Sequence, residues 1–204
     1  MQVSGFEHIY RPPNKSLHTN RRCPFLVPAR RIIEPWLRCQ RPFPAALGEL
    51  KRKTASSYPT MQASTETTRI FHFTPTQVYG AFANPKILAS WWGPDGFTNE
   101  FDSFDFKPSG RWNFTMVGPN GARYANQNIF QSLTPDREIV IRHDCAPYFT
   151  LTVTLTPHPA GTSLHWYGVF DDAKVFEAIK AIVIPANDQN LNRLNRALER
   201  ATAV

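Results

Sequence analysis

From Thr65 to Phe73 apolar and polar positions alternate, with Ile70 opposite Phe71 and Phe73, which predicts a first strand. Thr74-Pro75-Thr76-Gln77 then carries the marks of a helix start. Thr74 suits the N-cap, Pro75 the first helical position, and Gln77 completes a capping box. The helix brings Val78, Tyr79 and Phe82 together until Asn84-Pro85 interrupts it. A second short helix sets Ile87, Leu88, Trp91 and Trp92 on one side and closes at Gly93-Pro94.

Beyond this point the period becomes two. Phe104 and Phe106 alternate with Asp105 and Lys107, and Pro108-Ser109-Gly110 turns the chain. Trp112, Phe114 and Met116 then share one face of a strand, opposite Arg111, Asn113 and Thr115. After the turn Gly118-Pro119-Asn120-Gly121, strands are expected over Arg123 to Leu133 and around Ile139-Val140-Ile141. Phe149, Leu151, Val153 and Leu155 alternate with Thr150, Thr152 and Thr154, and His158-Pro159-Ala160-Gly161 reverses into a strand from Thr162 to Phe170. Six consecutive antiparallel strands joined by short loops make a meander.

Past Asp171-Asp172 the helical period returns, with Val175, Phe176, Ile179, Ile182 and Val183 on one face. Pro185 is expected to kink or break this helix. Asn187 would then cap a last segment in which Leu191, Leu194 and Leu198 recur. The order β-α-α-β6-α is α+β. A strongly curved antiparallel sheet must bury one face, and only the C-terminal helix is long enough to cover it.

Composition changes this picture in one place. The formal charge of +7 splits unevenly: residues 1–60 hold 11 Lys+Arg against 3 acids, while residues 61–204 hold 23 − 11 = 12 against 16 − 3 = 13. The basic character belongs to the first sixty residues, and the domain over residues 61–204 carries no nucleic-acid signal of its own. The basic segment has eight prolines and no sustained period, which predicts disorder. Three readings of it compete: an over-extended reading frame with Met61 the true start, a targeting peptide, or a basic arm for nucleic acid or membrane. No stretch approaches a membrane span. Three cysteines without a CxxC pair point to a reducing cytoplasm, with Cys145 an ordinary thiol.

Several local segments, taken in order, carry a resemblance. Trp91-Trp92-Gly93-Pro94 followed by Gly96-Phe97 is similar to the WWGPxGF signature of the START-like superfamily, in its branch of activator of heat-shock-protein ATPase homologues. Lys107-Pro108-Ser109-Gly110-Arg111-Trp112 resembles that family's "RPGGRF" turn. Gly118-Pro119-Asn120-Gly121, Tyr124-Ala125-Asn126 and Phe149 to Thr156 follow in the family's order. The match runs from Thr65 to Leu198. It departs at Ser109, where a Gly is usual, and at Asn126-Gln127-Asn128, which lacks a frequent Gly; both bear on local geometry and not on the fold.

The resemblance implies a helix-grip fold, with the sheet wrapped around its C-terminal helix over a cavity for an apolar or aromatic small molecule. Trp92, Phe97, Trp112, Phe114, Met116, Tyr124, Phe149 and Trp166 are the aromatic and apolar candidates to line that cavity, Asn126 is a polar one, and Gly168 is a place where a ligand comes close. Each taken singly reads first as plain core; their number and shared parity favour a pocket. Asn128, His143, His165 and Tyr167 are further polar groups, with His165 and Tyr167 placed on opposite faces so that at most one enters the grip. His72, His143, His158 and His165 have no metal-ligand spacing, and no GxSxG, HExxH, Walker or dinucleotide motif occurs in the domain, so no catalytic constellation is found, a non-enzymatic binding protein is favoured over an enzyme, and no cofactor is expected. A carrier or binding protein for a small hydrophobic or aromatic ligand is the first expectation. A polyketide cyclase- or lyase-like enzyme using Tyr167 or a His, and a chaperone-docking regulator, are the alternatives. The family makes homodimerisation plausible.

Overall fold

The computed structural model describes residues 63–203, so the expectations for residues 1–60 fall outside the described residues. Strand β1 (Ser64–Phe71) is followed by helices α1 (Pro75–Ala83) and α2 (Pro85–Trp91). Six strands come next: β2 (Thr98–Phe104), β3 (Arg111–Val117), β4 (Arg123–Thr134), β5 (Glu138–His143), β6 (Phe149–His158) and β7 (Gly161–Phe170). Helix α3 (Ala173–Thr202) closes the chain. The architecture is α+β in the predicted order.

Both early helices begin as their sequences dictate. Thr74 Oγ1 accepts from Gln77 N at 3.2 Å while Thr74 N donates to Gln77 Oε1 at 2.9 Å, the reciprocal capping box. Asn84 ends α1 and caps α2, its Oδ1 accepting from Lys86 N at 3.0 Å and Ile87 N at 3.3 Å. The indole of Trp91 donates to Ala81 O at 3.1 Å and so locks the two helices together.

The seven strands form one curved sheet in the order β1-β7-β6-β5-β4-β3-β2, every pair antiparallel. The meander supplies β2 to β7, and β1 returns to pair with β7 from Ser64↔Val169 to Phe71↔Thr162. Register shifts between Phe101 and Ser103 and between Phe130 and Ser132 are the bulges that let such a sheet bend. Trp112, Phe114 and Met116 all face inward, as their parity requires. Phe106 does not continue a strand: β2 stops at Phe104, because the turn through Ser109 and Gly110 begins earlier than the alternation implied. From that turn Phe106 packs on Tyr79 and Phe130 at ring separations of 5.5 and 4.9 Å. Likewise β1 ends at Phe71, two residues short of Phe73.

Helix α3 is the main correction. Pro185 lies inside a single helix, and Asn187 does not cap a new one. Pro185 and Ala181, the residue whose carbonyl loses its i+4 donor, are both exposed, so water can satisfy the freed oxygen. Meanwhile Phe176, Ile179, Val183, Leu191, Leu194 and Leu198 bury one continuous stripe that holds the helix together. At 1.5 Å per residue its 30 residues span about 45 Å. Among the described residues no helix is long and apolar enough to cross a membrane.

The stripe packs into two separate clusters. Leu191, Leu194, Ala197 and Leu198 join the large core of Phe71, Trp91, Trp112, Phe130 and the β5–β7 interior. Phe176, Ile179 and Val183 belong to a smaller cluster with Ala63 and Phe170. Between them the middle of α3 presents Ala186, Asn187 and Asn190 to the sheet, and there the packing opens.

Candidate functional site

The opening is a cavity of about 170 Å³ between sheet and helix. Its walls come from every layer. The α2–β2 loop gives Trp92, Gly93, Pro94 and Phe97; β3 gives Phe114 and Met116; β4 gives Tyr124 and Asn126. His143 closes the end of β5, Phe149 and Leu151 come from β6, and Trp166, Gly168 and Phe170 from β7. Thr65 of β1 and five residues of α3, from Ile182 to Asn190, complete it.

Nine of the ten residues singled out from the sequence therefore meet around one space: Trp92, Phe97, Phe114, Met116, Tyr124, Asn126, Phe149, Trp166 and Gly168. Trp112 does not. It is fully buried behind the wall, stacked on Phe114 at 4.5 Å and on Phe130 at 5.9 Å, and T-shaped against Trp92 at 4.9 Å. Parity alone could not separate a residue that lines the space from one packed beneath it. Gly168 borders the cavity, and a Cβ there would stand 3.0 Å from Thr65 Oγ1, so the glycine makes room for that hydroxyl.

His165 and Tyr167 are not on opposite faces. Residues i and i+2 of a strand point the same way, and their rings stack at 6.0 Å on the outer face of the sheet, where His165 Nε2 meets Glu66 Oε1 at 3.0 Å. Asn128 is inward and buried beside Trp112, off the cavity wall, with its Oδ1 unpaired. Among the described residues no group of His, Cys, Asp and Glu stands together as a metal site.

The polar end of the cavity is built around His143. Its Nδ1 lies 2.8 Å from Pro147 O and its Nε2 3.1 Å from Asn126 Oδ1, while Asn126 Nδ2 donates to Tyr124 O at 2.9 Å. Phe149 stacks on the imidazole at 4.6 Å. Burial pushes the His143 pKa down, and the backbone oxygens of Pro147 and Cys145 partly oppose that. On the opposite wall Asn187 Nδ2 donates to Thr65 Oγ1 at 3.2 Å. The rest of the lining is apolar or aromatic, apart from the second helix amide, Asn190.

The loop carrying Trp92 to Phe97 is fastened to α3. The Arg193 guanidinium donates to four backbone carbonyls: Ser90 at 3.2 Å, Gly93 at 2.9 Å, Phe97 at 2.8 Å, and Pro94 by a short contact. Asn190 Oδ1 accepts from Gly93 N, Gln189 Oε1 accepts from Asp95 N at 3.0 Å, and Arg196 pairs with Asp95 at 3.0 Å. Gly93 has φ +95, a conformation that L side chains rarely adopt. Sequence reasoning took Asn187 for a helix cap and passed over Asn190 and Arg193. Two asparagines three apart on an apolar helical stripe were a readable signal, because that face is otherwise Val, Ile and Leu. Arg193 gave none: a basic residue at the edge of such a stripe ordinarily faces water.

A family model described as Activator of Hsp90 ATPase homolog 1-like protein matches residues 72–199. Solved structures share the fold. One from Mycobacterium smegmatis has 22% identity and a TM-score of 0.64, covering 72% of this chain and 98% of its own. One from Arthrobacter aurescens has 16% identity and a TM-score of 0.65 over 71% of this chain and 90% of its own. An AHSA1-like protein from Aeromonas hydrophila has 16% identity and a TM-score of 0.56 over 68% and 94%. At these identities the likeness shows the fold alone. No curated protein matches the chain in sequence.

Proposed function

The chain belongs to the activator of Hsp90 ATPase homolog 1-like family, a branch of the START-like superfamily, and from that premise we propose that it binds a small hydrophobic or aromatic molecule inside the helix-grip cavity. One observation carries this reading. Beside the two core clusters of the described residues lies a largely apolar space of about 170 Å³, walled by aromatic rings and supplied with a few convergent polar groups. Interiors are otherwise packed to crystal-like density, so a void of this size costs stability unless a ligand fills it. An apolar cavity of roughly 150 Å³ holds a benzene-sized guest, which fixes the scale at about one ring. The four carbonyl contacts of Arg193 favour a wall held in place before the ligand arrives, which keeps the ordering cost of binding low.

The test is native mass spectrometry of the full-length protein, with solvent extraction of whatever it carries, on wild type and Ala186→Phe. Ala186 lines the cavity from α3, and a phenyl group there occupies the ligand's volume. A small molecule that leaves with the substitution supports the reading. A retained molecule in a folded Ala186→Phe variant, or an unchanged affinity for added aromatic compounds, sinks it.

A further inference from the structure

The hydrogen bonds at the polar end of the cavity do not balance, and the imbalance names a ligand charge. Pro147 O and Tyr124 O stand at the two ends of a chain of contacts and can only accept. Between them lie the two ring nitrogens of His143 and the amide of Asn126. Three contacts need three hydrogens, yet a neutral imidazole and one amide N–H supply two. As placed, Asn126 Oδ1 and the Nε2 lone pair face each other at 3.1 Å. Turning the Asn126 amide over repairs that contact and sets its oxygen against Tyr124 O instead. A protonated ring supplies the third hydrogen and satisfies every member.

Cys145 does not resolve the shortage. Its Sγ is 3.5 Å from Nε2 and 4.0 Å from Nδ1. A sulfur on the lone-pair axis of one ring nitrogen would stand much farther from the other. The sulfur thus lies beside the ring, off the line along which a proton would pass. Nor does the protein offer the cation a close counter-charge: Asp144 raises the His143 pKa and Arg142 lowers it, and burial outweighs both. On β5 the neighbouring Arg142 is held by Asp171, just past the end of β7, with a short contact and a second at 2.7 Å, and has Tyr148 of the β5–β6 loop beneath it at 5.6 Å. Asp144 of the same loop faces Arg111 of β3 at 4.0 Å. Of the residues lining the cavity only His143 and Tyr124 are titratable; β1, β6, β7 and α3 present none. A buried imidazolium with no ion-pair partner in contact is costly, so burial favours the neutral ring in the free protein and leaves the chain one proton short.

We propose that the ligand is a compact aromatic anion, a single ring carrying a carboxylate or phenolate, and that it binds with His143 in the protonated form. This rests on the cavity-binding reading above and specifies its ligand. The anion supplies the missing counter-charge, the proton completes the chain from Pro147 to Tyr124, and the ring fills the space between Phe114, Trp166 and α3. Asn126 Nδ2, which gives one hydrogen to Tyr124 O, carries a second for a ligand oxygen.

The probes are benzoate and benzamide, alike in shape and different in charge, titrated calorimetrically into the full-length protein near neutral pH in two buffers of different ionisation enthalpy. Benzoate should bind at least about tenfold tighter, with uptake approaching one proton per molecule. Its affinity should then fall about tenfold per pH unit across the window between the free and bound His143 values. Nitrogen-15 NMR of the ring should show both nitrogens protonated in the benzoate complex. His143→Gln should weaken benzoate much more than benzamide, closing the gap between the two, and should abolish the proton uptake; if that variant does not fold, proton uptake and the NMR signature of wild type decide. Benzamide binding as tightly as benzoate, or benzoate binding without proton uptake, overturns the anion and leaves the cavity reading standing. Failure of both probes at millimolar concentration also overturns it, while the mass-spectrometric experiment judges the wider reading independently.

Discussion

Ser109 stands where the resembling family usually has glycine, and the backbone shows the consequence: φ is +62, the left-handed region that an L side chain enters at a cost of roughly 1–2 kcal/mol. The conformation persists because Ser109 N donates to Phe130 O at 2.7 Å and pins the turn to β4. Ser109→Gly relieves the strain, and the greater freedom of the unfolded chain returns part of the gain. A net stabilisation of about 0.5–1 kcal/mol is expected from urea denaturation midpoints. His143 sets a second expectation at this scale. Burial lowers its folded value, so the unfolded chain binds more protons between that value and the ordinary histidine one. Stability is then full above the ordinary value and is lost as pH falls toward the lowered one. His143→Gln should flatten this acid slope, as followed by thermal melts across mildly acidic pH; an equally steep slope in the variant would refute it.

The C-terminal helix shows how an element overrides its own sequence. Local rules stop a helix before proline, and α3 runs through Pro185 because its buried stripe reaches past the proline on both sides and Ala181, whose carbonyl is freed, lies on the exposed side. Pro185→Ala returns a donor to that carbonyl and should stabilise the protein by about 1–3 kcal/mol. Calorimetry would register it as a higher Tm with the cavity unchanged. The strands were legible for the opposite reason. Alternation in β3, β6 and β7 reports a single buried face, and nothing distant competes with it. The capping box at Thr74 was equally plain, since its partners lie three residues apart.

At the scale of the whole molecule the cavity exists because one helix serves two cores and leaves a gap between them. Its front wall holds its shape through Arg193, which among the described residues has Asp95 as its anionic influence and donates to carbonyls between Ser90 and Phe97. Arg193→Met keeps the side chain's bulk and removes those donors. A loss of about 1.5–3 kcal/mol is expected, with faster hydrogen exchange at Asp95 and Phe97 and a larger loss in ligand affinity than in core protection. Unaltered exchange in that loop would show that the loop holds its shape without the guanidinium. The sequence by itself determined the element order, the inward parity of the sheet and the kind of side chain that faces the grip, because each of these is set by neighbours within a turn or a strand. Only the tertiary structure decided the rest: that Trp112 lies behind the wall, that α3 is continuous, that Asn187 and Asn190 turn inward, and that His143 sits between two acceptors. Each of those depends on groups far apart in the chain or, at His143, on a side-chain geometry that no local period records.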